Sequence, residues 1–208
     1  MTAAEALSRL RDGNRRFAAG QINLETLASR ARRDALVDGQ SPFATILGCS
    51  DSRVPAEIVF DQGLGDLFVI RVGGNVVAPS QVGSVEFAAE RFGTPLVVVM
   101  GHTQCGVVTA AFESIVDGAG DASRSLRSLA DRVRPAVLSV IGSRPHASLD
   151  RRAVIGEAVR ANVRVAAEHL RHASALLERR ILDGGMAVVG AEYSIETGAV
   201  DFFDLTTL

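Results

Sequence analysis

The sequence predicts an α/β fold: a mostly parallel central sheet of four to five strands flanked by helices, with extended N-terminal helices ahead of it. Three observations predict it. Short runs rich in apolar and β-branched residues, at 43–48, 66–71, 96–100, 186–193 and 199–204, are bounded by Gly or Pro, as buried strands are. Segments of helical period separate most of these runs, which is the βα alternation of a parallel sheet. The length, 208 residues, fits one domain over 1–208 with a helical arm over about 1–38, and is enough to bury its own core.

Thr2 and Glu5 form a capping-box pattern, and Leu7, Leu10 and Phe17 follow at helical spacing. A second helix is predicted from Asn23 as cap to about Val37, with Arg30, Arg32 and Arg33 outward. Asp34 and Asp38 nearby make that an ordinary solvated face rather than an anion site. After the first strand, Pro55 suits a first helical position and opens a short helix through Phe60. The second strand ends in a tight bend, Gly73-Gly74-Asn75. Neither these glycines nor Gly63-x-Gly65 gives the spacing of a dinucleotide fingerprint. Ser80 caps a helix to Phe92, Gly93 closes it, and Pro95 introduces the third strand.

A helix from Gly106 to Val116 starts directly behind Cys105, so its free N–H groups and dipole favour the thiolate of that residue. Residues 117–121 are a surface loop. A helix over 126–141 is interrupted at Pro135. Asp150 caps a long helix carrying Val154, Val159, Val163 and Leu170. Ser174 caps the last helix, to Leu182, which Gly184-Gly185 stops. Glu196-Thr197-Gly198 turns the last two strands into a hairpin. There is no internal repeat and no low-complexity linker.

The formal charge of −2 and an apolar content of 47% indicate no field for nucleic acid or a membrane surface. No apolar run is long enough to cross a bilayer. The N-terminus lacks the basic-then-apolar layout of a secretory signal, so a cytoplasmic location is expected.

Two polar clusters stand where strands end: Cys49-Ser50-Asp51-Ser52-Arg53 after the first, and Gly101-His102-Thr103-Gln104-Cys105-Gly106 after the third. The carboxyl edge of an open α/β sheet is where ligands bind. Together the clusters offer two thiols, an imidazole and a carboxylate, which are zinc ligands and enough for one tetrahedral site. The plain alternatives are that Cys49 and Cys105 are small buried side chains, or that they form a disulfide. A chain without a secretory signal argues against the disulfide. A buried cysteine needs no His and Asp on the same sheet edge, so the spacing favours a metal. His169 and His172, three apart on a helix, and His146 in a Pro-flanked loop lack acidic or thiol partners and read as ordinary histidines.

Cys49-Ser50-Asp51-Ser52-Arg53-Val54-Pro55-Ala56-Glu57, followed by Gly101-His102-x-x-Cys105-Gly106, resembles the β-class carbonic anhydrases, from about Gly13-Asn14 to the C-terminal hairpin. The resemblance implies zinc held by Cys49, His102 and Cys105, with water or Asp51 in the fourth place. It also implies reversible hydration of carbon dioxide to bicarbonate and a proton, by attack of zinc hydroxide. Gln40 falls where the family places an amide that orients substrate, and Phe68 matches an aromatic of the apolar substrate pocket. Phe87 stands where plant members carry Tyr. Some of these side chains come from the adjacent subunit in the family, and its N-terminal helices reach across to a neighbour. A homodimer or dimer of dimers is therefore implied.

Two thiolates donate charge to zinc and make its water less acidic than an all-histidine site would, against a pKa of about 7 in well-known zinc sites. Arg53, two residues from Asp51, can hold that carboxylate bidentately, ionised and off the metal. As an ordinary surface pair the two would be worth little. In some family members the aspartate swings onto zinc when bicarbonate fills a pocket of Trp, Arg and Tyr. Arg71 and Tyr193 match the last two, but Ile46 replaces the Trp. A missing donor to a buried anion costs about 1–3 kcal/mol, so an open site with Asp51 on Arg53 is expected near neutral pH or above. Two rival functions stand beside this one: hydrolysis of carbonyl sulfide or carbon disulfide, and a non-catalytic zinc-binding module. The second would be expected to lose Gln40, Asp51 or Arg53.

Overall fold

A computed structural model of the chain describes residues 1–22, 24–118, 123–142 and 150–208. Helices α1 (Ala3–Ala18), α2 (Leu24–Ala28) and α3 (Arg30–Ala35) precede strand β1 (Ala44–Gly48). Then come α4 (Ala56–Val59), β2 (Leu67–Arg71), a single 3-10 turn (Gly73–Asn75), α5 (Pro79–Phe92) and β3 (Leu96–His102). Helices α6 (Gly106–Val116), α7 (Arg124–Ile141), α8 (Arg151–Arg171) and α9 (Ala175–Leu182) lead to β4 (Ala187–Tyr193) and β5 (Val200–Phe203).

The sheet runs β2-β1-β3-β4-β5, with β1 parallel to β2 and β3, β3 parallel to β4, and only β4 and β5 antiparallel. From β1 the chain builds β2 on one side and then returns to lay β3 on the other. The carboxyl ends of β1 and β3 thus border a topological switch point, the crevice where open α/β sheets bind ligands. Both strands are buried throughout, as strands covered on two faces must be. Alternation sends Ile46, Val98 and Met100 into the core with Leu7, Leu10 and Phe60, and Leu47, Val97 and Val99 into the core with Val163 and Leu170. A third cluster of Val108, Phe112, Val133, Val137 and Val159 surrounds Cys49 and Cys105.

Two glycines let α8 lie directly on the sheet. A Cβ on Gly101 would sit 2.6 Å from Val163 Cγ2 and 3.2 Å from Val159 Cγ1, and one on Gly190 would sit 3.0 Å from Val163 Cγ1. At the other face, buried Asn14 of α1 donates to the carbonyls of Val59 and Gly198 and accepts from the Val200 N–H. Helix α1 is therefore part of its own chain's core, whereas α3 buries no residue.

The capping box at Thr2 and the caps at Asp150 and Ser174 form as the sequence predicts. Five details differ. The helix expected over 23–37 is two helices, because Ser29 turns its hydroxyl onto the Arg32 N–H and starts a new one. Arg32 is not part of a solvated face: it donates to the Leu64 carbonyl and pairs with Asp66 at 2.7 Å, tying α3 to the turn before β2. Pro55 caps α4 from outside rather than opening it. Pro79 takes the first position of α5, where its fixed φ suits, so Ala78 is the cap and Ser80 lies inside the first turn. Helix α7 starts at Arg124, capped by Ser123, and runs through Pro135 without a break, its Val133, Ala136 and Val137 buried on either side. Asn23, residues 119–121 of the expected loop, and His146 lie outside the described residues.

Candidate metal centre

The two clusters meet at the switch point. Cys49 directly follows β1, His102 ends β3, and Cys105 caps α6. Between the last two, Gln104 takes a left-handed backbone (φ 58), and Thr103 is stitched to β4 through its N–H to the Tyr193 carbonyl and its hydroxyl from the Ile195 N–H. The donor atoms of Cys49, His102 and Cys105 lie within 4.8 Å of one another, and all three residues are buried. His102 Nδ1 is 2.9 Å from the Thr103 carbonyl, so Nδ1 carries the proton and Nε2 the lone pair. That Nε2 is buried and has no hydrogen-bond partner. An unmet buried polar atom costs about 1–3 kcal/mol, which a bound cation would recover.

The thiols tell the same story. The Cys105 S–H and the N–H groups of Asp51 and Gly74 hold Cys49 down against its burial. The Cys49 thiolate and burial push Cys105 up, although the N–H groups of Val108 and Val107 pull it down. The N–H groups of α6 thus favour a thiolate at Cys105, opposed by the sulfur beside it, and the two thiols titrate as one pair. Two buried sulfurs stand beside a bare imidazole nitrogen. Two sulfurs and one nitrogen fit zinc, and three protein donors leave a fourth place open, as in catalytic zinc sites.

Asp51 and Arg53 form a bidentate pair, Nε to Oδ1 at 2.9 Å and Nη2 to Oδ2 at 2.7 Å, and the Arg53 N–H adds a third bond to Oδ1 at 3.0 Å. The Arg53 guanidinium holds the Asp51 carboxyl well below the usual carboxylate range. Asp51 Oδ2 lies 3.9 Å from His102 Nε2. Arg71 braces the loop from beneath: its guanidinium donates to the carbonyls of Cys49 and Asp51. Sequence reasoning missed this bracing. Its signal was the parallel register, which sets Arg71 opposite Gly48, one residue before Cys49. The turn after β2 also reaches the site, with the Gly74 N–H 3.3 Å from Cys49 Sγ.

A family profile described as carbonic anhydrase matches residues 44–200. The chain is 40% identical over 189 residues to carbonic anhydrase 2 of Mycobacterium tuberculosis, covering 91% of this chain and 87% of that one. It is 38% identical to the carbonic anhydrase of Mycolicibacterium smegmatis, covering 92% of this chain and 89% of that one. Its structure is similar to that of the β-carbonic anhydrase CafA of Aspergillus fumigatus, with a TM-score of 0.73 at 26% identity over 83% of this chain and 80% of that chain.

The chain belongs to the β-carbonic anhydrase family.

Within this β-carbonic anhydrase fold, Arg71, also singled out from the sequence, bonds the loop that carries Cys49 and Asp51. Phe68 and Phe87 pack with Phe92 in a patch on β2 and α5, with ring centroids 5.7–6.1 Å apart, rather than over the three donors. Phe87 is 53% exposed and Gln40 is exposed. Tyr193 is buried beside Phe17, which pushes its phenol up, and Ile46 is wholly inside the core. The guanidinium of Arg71 faces the two loop carbonyls. His172 does have acidic partners, Glu168 and Glu178, each at 3.2 Å, but the set is exposed and makes no third ligand group among the described residues.

Proposed function

We propose that the chain is a zinc enzyme that combines carbon dioxide with water to give bicarbonate and a proton, reversibly. The observation that carries this reading is the buried Cys49–His102–Cys105 donor set, its imidazole nitrogen unpartnered, 3.9 Å from a carboxylate clamped by arginine. Relatives named carbonic anhydrase at 38–40% identity over most of the chain support it. Zinc held by these three residues supplies a Lewis acid that makes water a nucleophile near neutral pH.

The chain's own residues do the rest. The Thr103 carbonyl fixes the His102 tautomer, so its free nitrogen faces the metal position. Asp51, kept ionised by Arg53, would accept a hydrogen bond from the nucleophilic water and so orient that water's lone pair toward the carbon of the substrate. Arg71 holds the loop that carries both Cys49 and Asp51, so ligand and base keep one geometry. Gln40, Phe68 and Phe87 form the substrate side, an amide for one oxygen and an apolar wall for an apolar molecule. Phe87 is open to solvent in one chain, so a second copy completes the pocket, as a homodimer or dimer of dimers. Arg71 and Tyr193 would border any bicarbonate site, weakened by Ile46. We read the chain as one domain over 1–208, acting in the cytoplasm. Among the described residues no helix is long and apolar enough to cross a membrane.

Stopped-flow hydration of carbon dioxide by the zinc-loaded protein tests this. Rapid, saturable turnover is the expected result. Turnover of carbonyl sulfide with none of carbon dioxide would replace the substrate, and turnover of neither would leave a binding module.

A further inference from the structure

We propose that Asn162, on the buried face of α8, is a positioning residue for the metal centre: it holds the Gly74 N–H against the Cys49 sulfur, and so sets how much charge that sulfur gives to a bound metal. The inference rests on the metal-binding reading above and adds a residue far from both motifs in sequence.

Asn162 is 3% exposed, in a stretch of α8 whose other buried residues before Arg171 are Val, Ala and Leu. A buried amide in such a stripe is costly unless bonded, and a Leu would fill the same space. Its Nδ2 donates to the Gly74 carbonyl at 2.8 Å, a buried bond between residues 88 positions apart. The same residue's N–H points the other way, to Cys49 Sγ at 3.3 Å, a normal length for a sulfur acceptor. Asn162, Gly74 and Cys49 are thus one chain of contacts running from helix to ligand.

The turn is held from its other sides too. Gly74 lies in the left-handed region (φ 68, ψ 20), and a Cβ there would be 2.9 Å from Val107 Cγ1 and 3.4 Å from Val133 Cγ2. Val107 belongs to α6, the helix that Cys105 caps. Packing and the bond from the Asn75 N–H to the Val72 carbonyl keep the turn near the metal centre. The Asn162 amide adds a restraint on the Gly74 carbonyl, one peptide along from the N–H that meets the sulfur. N–H bonds to a ligating sulfur draw charge from it, which is how proteins tune metal–thiolate centres. Without the Asn162 donor the Gly74 carbonyl loses its partner, the turn relaxes, and Cys49 becomes a more basic, more electron-rich ligand.

Cobalt(II) in place of zinc makes this visible, because sulfur-to-cobalt charge transfer absorbs in the near ultraviolet. In Asn162→Leu, which keeps the volume, that band is expected to move to longer wavelength. Cobalt affinity against a chelator should fall roughly tenfold, the usual effect of losing a partner of a metal ligand. Wild-type band position and affinity in a folded N162L would overturn the proposal. Asn162→Ala serves if N162L does not fold. Cadmium-113 in the wild-type protein needs no substitution: a through-bond coupling from the metal to the Gly74 amide proton is expected, and its absence also overturns the proposal. Cobalt uptake without carbon dioxide turnover would sink the functional reading alone. An unchanged N162L spectrum with full turnover would sink this one alone, and a chain that takes up neither metal sinks both.

Discussion

The carboxyl ends of β1 and β3 and the aromatic patch on β2 and α5 are built on opposite plans. At the first, the three donors are buried, and partners from the same chain orient His102 (Thr103), Cys49 (Gly74) and the nearby Asp51 (Arg53). At the second, three phenylalanines touch one another at the edge strand of the sheet and one is 53% exposed. A metal position tolerates little error, so the chain that folds it must supply all of its supports. An apolar wall needs only area, and area can come from another copy. The first region is supported within one chain, and the second leaves Phe87 open to solvent.

The largest break in that contrast is Cys105→Ser. It should reduce bound zinc from about one equivalent per chain to a trace and abolish activity, since an alcohol is no substitute for a thiolate ligand. Elemental analysis after reconstitution checks it, and full metal content in the variant would contradict the three-donor site. Next is Asp51→Asn, which keeps shape and metal but removes the acceptor. It should lower kcat/KM by about 10²- to 10⁴-fold, the range for an acid–base group, with zinc content unchanged.

The aromatic side is tested by mass. Light scattering at micromolar concentration should give two or four chains. Phe87→Asp should weaken association by roughly thirtyfold, as loss of an interface anchor of about 2 kcal/mol does. A fully active monomer would show that the patch needs no second copy.

The smallest expected effect concerns pH. Arg53 depresses the folded pKa of Asp51, so the pair contributes to stability above the unfolded value of about 3.9, and that contribution is lost progressively as pH falls from there toward the lower folded value. Urea unfolding of wild type and Asp51→Asn should therefore differ by the same amount at pH 5 and pH 8. The difference should shrink toward about pH 3, and one that stays constant down to there would mean that Arg53 does not hold the carboxylate.

The contrast also explains what could be read in advance. Strands were legible because burial on both faces forces continuous apolar runs, and the candidate metal-holding group because few residue types can bind a metal and each cluster is local: Cys49 after one strand, His102 with Cys105 after another. Helix starts were less legible wherever two capping residues compete, as Ser29 and Pro79 did. Asn162 and Arg71 left no motif, since each acts through a backbone carbonyl, and any sequence can provide a carbonyl. The place of Phe87 in the chain was legible, but not its exposure, because that depends on how α5 lies against the edge strand.

The paired hollows at Gly101 and Gly190 have a mechanical meaning. Val163 fits into both, so a single side chain indexes α8 against two adjacent strands, one of which ends at His102. A helix seated on a flat apolar face can slide; one with a tooth in two notches cannot advance even one residue, about 1.5 Å, without driving methyl groups into backbone. The imidazole next to the first notch inherits that stop. Its depth in the protein is fixed by a gear rather than by a glue, and the same gear brings Asn162, one position before the tooth, to the turn that touches Cys49.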